Sequence, residues 1–390
     1  MTDANRARPP TGGFSATLHD AISEIGVLEW NRCAGADNPF LEYDFLDALE
    51  KSGSANPESG WSPCHATIKN RRDETVAVIP LYLKAHSYGE YVFDGGWADA
   101  FQRAGGRYYP KLQVAVPFSP VPGPRFLIRP GYAITAKSCG GILSDIAKSM
   151  GVSSVHVTFC TEVEYSGLIE AGWMPRLGTQ FHWHNPGYKN FDDFLAALSS
   201  RKRKMIRHER KAAKESGLKF LTLSGAEIRE AHWDAFYRFY LSTVERKWGH
   251  AYLARPFFSM LSERMGDRIV LMMAEHGSQL VAGALNLAGG DTLYGRNWGC
   301  EGKWPFLHFE LCYYQAIDFA ISRGLKSVEA GAQGDHKIQR GYLPIPTYSC
   351  HWVAHKGLAK AIDNYLENER LTVKQDMEAL ASLSPFRKKP

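Results

Sequence analysis

The chain has 390 residues, of which 44% are hydrophobic and 22% charged, and a formal net charge of +5. That balance excludes a disordered or fibrous protein, and at roughly 100–200 residues per domain the length calls for more than one core. Seven scattered cysteines without a close C-x-x-C pair offer no structural zinc site and fit reduced thiols in a cytoplasmic protein.

Residues 1–13 are polar, carry Arg6, Arg8, Pro9 and Pro10, lack the apolar stretch of a secretory signal, and read as a disordered tail. No apolar run reaches the ~18–20 residues needed to cross a bilayer, so no membrane span is expected. Residues 75–83 and 91–97 read as strands leading to Trp97. A helix over 142–150 then ends at Gly151, and a strand over 155–159 leads to Gly172-Trp173-Met174-Pro175 and His182-Trp183. The succession returns further on. Strands over 280–287 and 292–298 lead to Trp298, a helix over 309–321 ends before Gly324, and a strand over 327–330 leads to Gly341-Tyr342-Leu343-Pro344 and His351-Trp352. Gly172 and Gly341 stand 169 residues apart, and so do the two His-Trp pairs. This periodicity predicts two copies of one α/β unit. The first domain is 14–188 and the second 189–360, joined at Pro186-Gly187. A C-terminal helix and tail occupies 361–390, and its periodic, charged stretch from Lys360 to Glu378 is expected to pack on the second domain.

Within the second domain, helices are expected over 192–198 and 201–215, the latter stopped by Gly217. Between Arg201 and Lys214 stand eight Lys or Arg against the single acid Glu209, so the basic character of the chain is concentrated in this helix, 200–217. At 100° per residue, Arg203, Lys204, Arg207, Arg210, Lys211 and Lys214 fall on one side and Met205, Ile206, Ala212 and Ala213 on the other. Six like charges on one stripe repel, and phosphates from tRNA, a nucleotide-linked precursor or a CoA-type donor would relieve them. The alternative is a solvated face.

The stretches Ser87-Tyr88-Gly89-Glu90, 105–113, 117–125, 199–210, 306–315 and 329–337 resemble N-acyltransferases described as FemAB-like, or as peptidoglycan biosynthesis or recognition proteins. The resemblance covers nearly the whole chain after residue 14. It implies an α/β fold of tandem GNAT-like domains with mixed sheets, and transfer of an acyl or aminoacyl group to an amine acceptor such as a peptidoglycan precursor, with acetyl-CoA-dependent N-acetylation of a small molecule or peptide as the alternative. Fem-type ligases take the aminoacyl group from charged tRNA, so aminoacyl-tRNA or acyl-CoA is the expected co-substrate, with no tightly bound cofactor. Loss of catalysis, leaving a binding module for a phosphate ligand or cell-wall precursor, is the reading from another class.

Acyl transfer to an amine needs a base, donors for the tetrahedral oxyanion and a cradle for the anionic carrier. The strand over 327–330 runs into a glycine-bearing loop at the carboxyl end of the sheet, where ligands gather. Glu329 and His336 are the candidate bases, Gln333 a candidate positioning donor, and Lys337 and Arg340 candidate donor-binding cations. Arg203, Arg207 and Arg210 join them from the basic helix. Arg296 and Gly299 are the nearest match to the glycine loop that holds a CoA pyrophosphate. Glu301 stands where that loop wants a small residue, which favours a different donor. Glu310, on an otherwise apolar helix, is either a structural ion pair or a cleft residue. In the first domain, Tyr108, Tyr109, Lys111 and Gln113, with Arg125 and the prolines of 117–124, read as an acceptor-binding surface or as a connector stiffened by proline. His182 and His184 lack a third ligand at recognisable spacing, and Cys350 and His351 point apart on a strand, so neither metal nor a Cys-His pair is expected.

Overall fold

The computed structural model describes residues 13–246, 249–331 and 334–387. They form two units, the first running to Gly178 and including Pro346–Gln375, the second comprising Thr179–Ile345 and the residues from Asp376. This division differs from sequence halves divided at 188, because the closing strand of each half is assigned to the other unit.

The first unit holds two sheets. Ser15–His19, His65–Lys69, Thr75–Ile79 and Leu127–Ile128 form a small antiparallel sheet. Trp61–Pro63, Leu81–Lys84, Lys111–Val114, Ser154–Cys160 and the distal part of Leu343–Val353 form a mixed one, parallel only between Lys111–Val114 and Ser154–Cys160. The run expected over 75–83 is therefore two strands in two sheets. Pro80 separates them, since it cannot donate to a ladder. The strand expected over 91–97 is absent. Its place in the repeat is taken by Lys111–Val114, and Trp97 instead sits in the helix Gly95–Arg103. Ala136–Met150 is the expected helix, capped by Thr135 at its start and by Gly151 in the left-handed region, φ 67°, at its end. It packs Ile142, Leu143 and Ile146 on Val155 and Val157 of the mixed sheet. The C-terminal helix Lys356–Ser382 and its tail meet the expectation only in part: Leu358, Ile362 and Leu366 share a buried cluster with Trp97, Tyr108 and Met174 of the first unit, whereas the residues from Asp376 belong to the second, where Leu380 and Phe386 pack on its core.

In the second unit, Leu218–Leu223, Ile269–His276, Gln279–Gly289 and Thr292–Cys300 follow one another antiparallel. Ser327–Glu329 adds parallel, and the distal part of Met174–His184 closes antiparallel. Each unit thus has one parallel pair, and in both the parallel strand follows a helix and a left-handed glycine, Gly151 and Gly324. A helix over 307–322, wound as a π-turn at Glu310–Tyr314, buries Leu311, Tyr314, Ile317 and Ala320 in the core. The basic helix Ser200–Glu215 buries Ile206 and Ala213, as its pattern requires, and also Glu209.

Candidate active site

In the second unit several of the candidate side chains gather at the carboxyl end of Ser327–Glu329. Glu329 is paired in register with His182, and its Oε1 lies 3.7 Å from His182 Nδ1. His182 Nε2 lies 3.2 Å from Gln180 Oε1. Burial, then the charges of His184 and Lys337, lower His182 to about 3, so its ring is neutral at ordinary pH. The chain then turns through Gly331 and Gly334, with φ of 76° and 110°, into the helical turn Asp335–Arg340. Gln333 lies outside the described residues. His336 is exposed, with Nε2 2.9 Å from the Tyr313 hydroxyl and its ring packed near Phe309. Lys337 is buried, donates to the Gly331 carbonyl at 2.9 Å, and is lowered to about 8 by that burial. An amine in this state can give up a proton near neutrality.

Several candidates are committed elsewhere. Arg340 donates to both oxygens of buried Glu209, at 2.7 and 3.2 Å, and lies 3.4 Å over the Phe309 ring. Tyr314 donates to the same carboxylate. Arg210, expected on the presented stripe, instead turns inward. It bonds Glu310 at 3.1 and 3.2 Å, pairs with Asp318 at 2.7 Å and lies over Phe191. Glu310 is therefore a structural ion pair, completed by Gln315 at 2.7 Å. Arg203 is half-buried with Nε lacking a hydrogen bond, and Arg207 is exposed, 3.4 Å from Asp192. Arg296 and Gly299 form no phosphate loop, because Thr292–Cys300 is one strand through both. A Cβ on Gly299 would stand 2.0 Å from the Phe239 carbonyl oxygen, so this glycine admits the helix Glu230–Arg246, not a pyrophosphate.

The first unit holds a second polar centre, and it is interior. Tyr108, Lys111, Gln113 and Arg125 are buried, so the surface expected from them does not exist, and Tyr109 is half-buried. Lys111 Nζ donates to Glu90 Oε2 at 2.7 Å, Asp94 Oδ2 at 2.5 Å and Ser87 Oγ at 2.9 Å; Ser87 in turn lies 2.8 Å from the Tyr109 hydroxyl. Tyr108 donates to Asp94 Oδ2 at 2.7 Å and lies 3.3 Å from His156 Nε2, and His156 and His351 meet through their Nδ1 atoms at 2.7 Å. Burial lifts Glu90 to about 7 and lowers Lys84 to about 7 and His156 to about 3. For Lys111 burial opposes the charge, but the Glu90 and Asp94 carboxylates outweigh it and hold the ammonium. Asp94 is likewise held well below its ordinary range: burial would raise it, and Lys111 and His156 prevail. Glu90, Asp94, His156 and His351 escaped sequence reasoning as site residues. The available signal was Ser87-Tyr88-Gly89-Glu90 standing close before the lysine of 105–113. Among the described residues, no group of three or more His, Cys, Asp or Glu is arranged to hold a metal ion. Among them, too, no helix is long and apolar enough to cross a membrane.

Two α/β units, each a mixed sheet whose single parallel pair is fed by a helix, define a tandem GNAT-type protein. The chain belongs to the FemAB-like family of peptidoglycan biosynthesis/recognition, whose profile matches residues 21–388. At the level of that family it is an acyl- or aminoacyl-transferase. No curated protein matches the sequence significantly. Among solved structures it resembles FemX, at 11% identity and TM-score 0.53, over 88% of this chain and 99% of that one. It also aligns with L-PGS from Bacillus licheniformis (10% identity, TM-score 0.49, 90% and 98% of the chains). A third alignment is with a tandem GNAT protein from the clavulanic acid biosynthesis pathway (10%, 0.47, 88% and 99%). The FemX likeness establishes the shared fold.

Proposed function

We propose that the protein is a cytoplasmic N-acyltransferase that moves an acyl or aminoacyl group to an amine, a peptidoglycan precursor being the acceptor class its family suggests. The reaction is assigned to the end of Ser327–Glu329. The observation that carries this is Glu329 beside the neutral His182, at the mouth of a loop that also brings exposed His336 and buried Lys337.

In this reading the acceptor ammonium loses a proton to Glu329 or His336. The free amine attacks the donor carbonyl, and the tetrahedral oxyanion is met by a donor such as Lys337 in its charged form. Collapse breaks the bond to the carrier, an alkoxide of aminoacyl-tRNA or a thiolate of acyl-CoA, which takes up the proton that the attacking nitrogen releases as the amide forms. The donor is a co-substrate and no bound cofactor enters. With Gly299 packed against a helix backbone and Glu301 paired to Arg238 at 3.5 Å, the strand end at Cys300 favours a donor other than CoA. Arg203, Arg207 and their exposed neighbours on Ser200–Glu215 suit a phosphate-bearing donor.

The test incubates purified protein with labelled acetyl-CoA, charged tRNA and a panel of amines. Transfer is expected in one mixture, falling ~100-fold or more in Glu329→Gln or in His336→Ala, whichever is the base. Unchanged turnover in both variants would remove this assignment. Binding without transfer across the panel would instead favour the non-catalytic module.

A further inference from the structure

We propose that the first unit carries a binding site for a primary ammonium group, formed by the free oxygens of Glu90 and Asp94 beside Lys111 and covered by residues 85–96. Glu90 and Asp94 are only 3% and 2% exposed, and each gives one oxygen to Lys111 Nζ. The other oxygens, Glu90 Oε1 and Asp94 Oδ1, have no hydrogen bond. A buried acceptor left unmade costs about 1–3 kcal/mol, and more when it is charged. Two such oxygens, on carboxylates that converge on one lysine, point to a missing donor rather than to loose packing.

The nearest groups are already engaged: Ser87 Oγ accepts from Lys111 Nζ, lies 2.8 Å from the Tyr109 hydroxyl and hydrogen-bonds Asp94. Lys84 Nζ is the nearest other cation, but at 3.9 Å from Glu90 Oε1 it is beyond hydrogen-bond reach; it donates to the Tyr88 carbonyl at 3.3 Å and sits 3.7 Å over the Trp61 ring. The Tyr108 hydroxyl is spent on Asp94 Oδ2. An anion would be repelled by both carboxylates, and a single hydroxyl offers one donor. An ammonium offers three N–H donors on one compact atom and a positive charge. Burial lifts Glu90 to about 7 against the pull of Lys111 and Lys84, and a further cation beside it would hold it ionised.

The cover has an outer face and a latch. Tyr88 and Phe93 are 66% and 75% exposed, and side-chain space at Gly95 and Gly96 is open. Arg176 donates to the Phe93 carbonyl at 2.8 Å while Glu369 holds its other nitrogens at 2.8 Å. The inference leans on the acyl-transfer reading only in that an amine is the natural acceptor; the site itself stands on the geometry of the first unit.

Calorimetric titration of the full chain with methylammonium, against tetramethylammonium as a cation without N–H donors, tests it. Saturable binding is expected for methylammonium alone, weakened roughly tenfold or more by Glu90→Gln and by Asp94→Asn in variants whose circular dichroism is native. Absence of saturable methylammonium binding to the wild type, or equal binding of tetramethylammonium, would overturn the proposal without recourse to any variant. So would unaltered affinity in both folded variants. Because no acyl donor is present, the result is independent of turnover. Loss of transfer in Glu329→Gln with methylammonium binding intact would leave both readings standing, whereas failure of transfer in the wild type would not touch this one.

Discussion

His156, His182 and His351 are nearly inaccessible, and burial holds all three below the ordinary histidine value, His156 and His182 at about 3. A folded-state pKa below the unfolded one means that the unfolded chain binds the extra proton. Stability from each ring is complete above its unfolded value of 6.5 and is lost as pH falls below it, towards about 3 for His156 and His182. Glu90 acts in the opposite sense between its ordinary 4.5 and about 7, so the useful quantity is a difference between variants. His182→Asn should flatten the dependence of unfolding free energy on pH by up to ~1.4 kcal/mol per pH unit between about 3 and 6.5. Urea unfolding at a series of pH values measures it, and parallel curves for variant and wild type would refute the buried neutral ring. At this scale the sequence exposed part of the site. Glu329, His336 and Lys337 are near neighbours in the chain, so one loop displays them. Asp94, His156 and His351 come from three remote segments: strand pairing sets His351 against His156, and Asp94 joins them through Lys111 and Tyr108.

The basic helix shows what periodicity can and cannot read. Its 100° geometry correctly separates Ile206 and Ala213 from the charged residues, but Arg210 sits at the edge of the stripe and is drawn in by Glu310. Nothing local distinguishes Arg210 from Arg207; the partner is a hundred residues away, on a helix whose apolar sequence made Glu310 conspicuous. Arg210→Gln should therefore cost about 3 kcal/mol, because it strands a fully buried carboxylate with Gln315 as its remaining donor. Arg207→Gln should stay within about 0.5 kcal/mol of wild type and weaken binding of tRNA, with a shallower salt dependence. Denaturant midpoints at unchanged m-value and salt-titrated binding separate the two, and equal destabilisation by both would contradict the division of the stripe. The same limit explains the missing strand over 91–97. Its aromatic content reads as extended, yet Asp94 is held inside by Lys111 and Tyr108, and a helix starts at Gly95. The break at Pro80, by contrast, follows from proline alone, although the apolar run over 75–83 reads as one strand.

At the scale of the whole molecule, the repeat seen in the sequence has a register that neither half satisfies alone. In the first unit Trp352 pairs with Val155, and in the second Trp183 pairs with Val328. Val155 and Val328 each lie second in the strand that follows the helix and its glycine, so each tryptophan stands against the strand of the other copy. We read this as an internal duplication whose closing strands were exchanged. It explains why boundaries at 188 and 360, natural for a simple tandem array, do not coincide with the compact units. A polypeptide ending at 188 would leave the edge of Ser154–Cys160 unpaired, with the apolar face built on Val155 and Val157 missing Cys350 and its neighbours. It would also lack Leu358, Ile362 and Leu366, which cover Trp97 and Tyr108. Residues 1–188 alone should therefore fail to unfold cooperatively, whereas the same segment joined by a flexible linker to 343–375 should show a single urea transition with native-like circular dichroism. Cooperative unfolding of the isolated 1–188 segment would show that the exchanged strand is dispensable and that the simple tandem boundary was the right one.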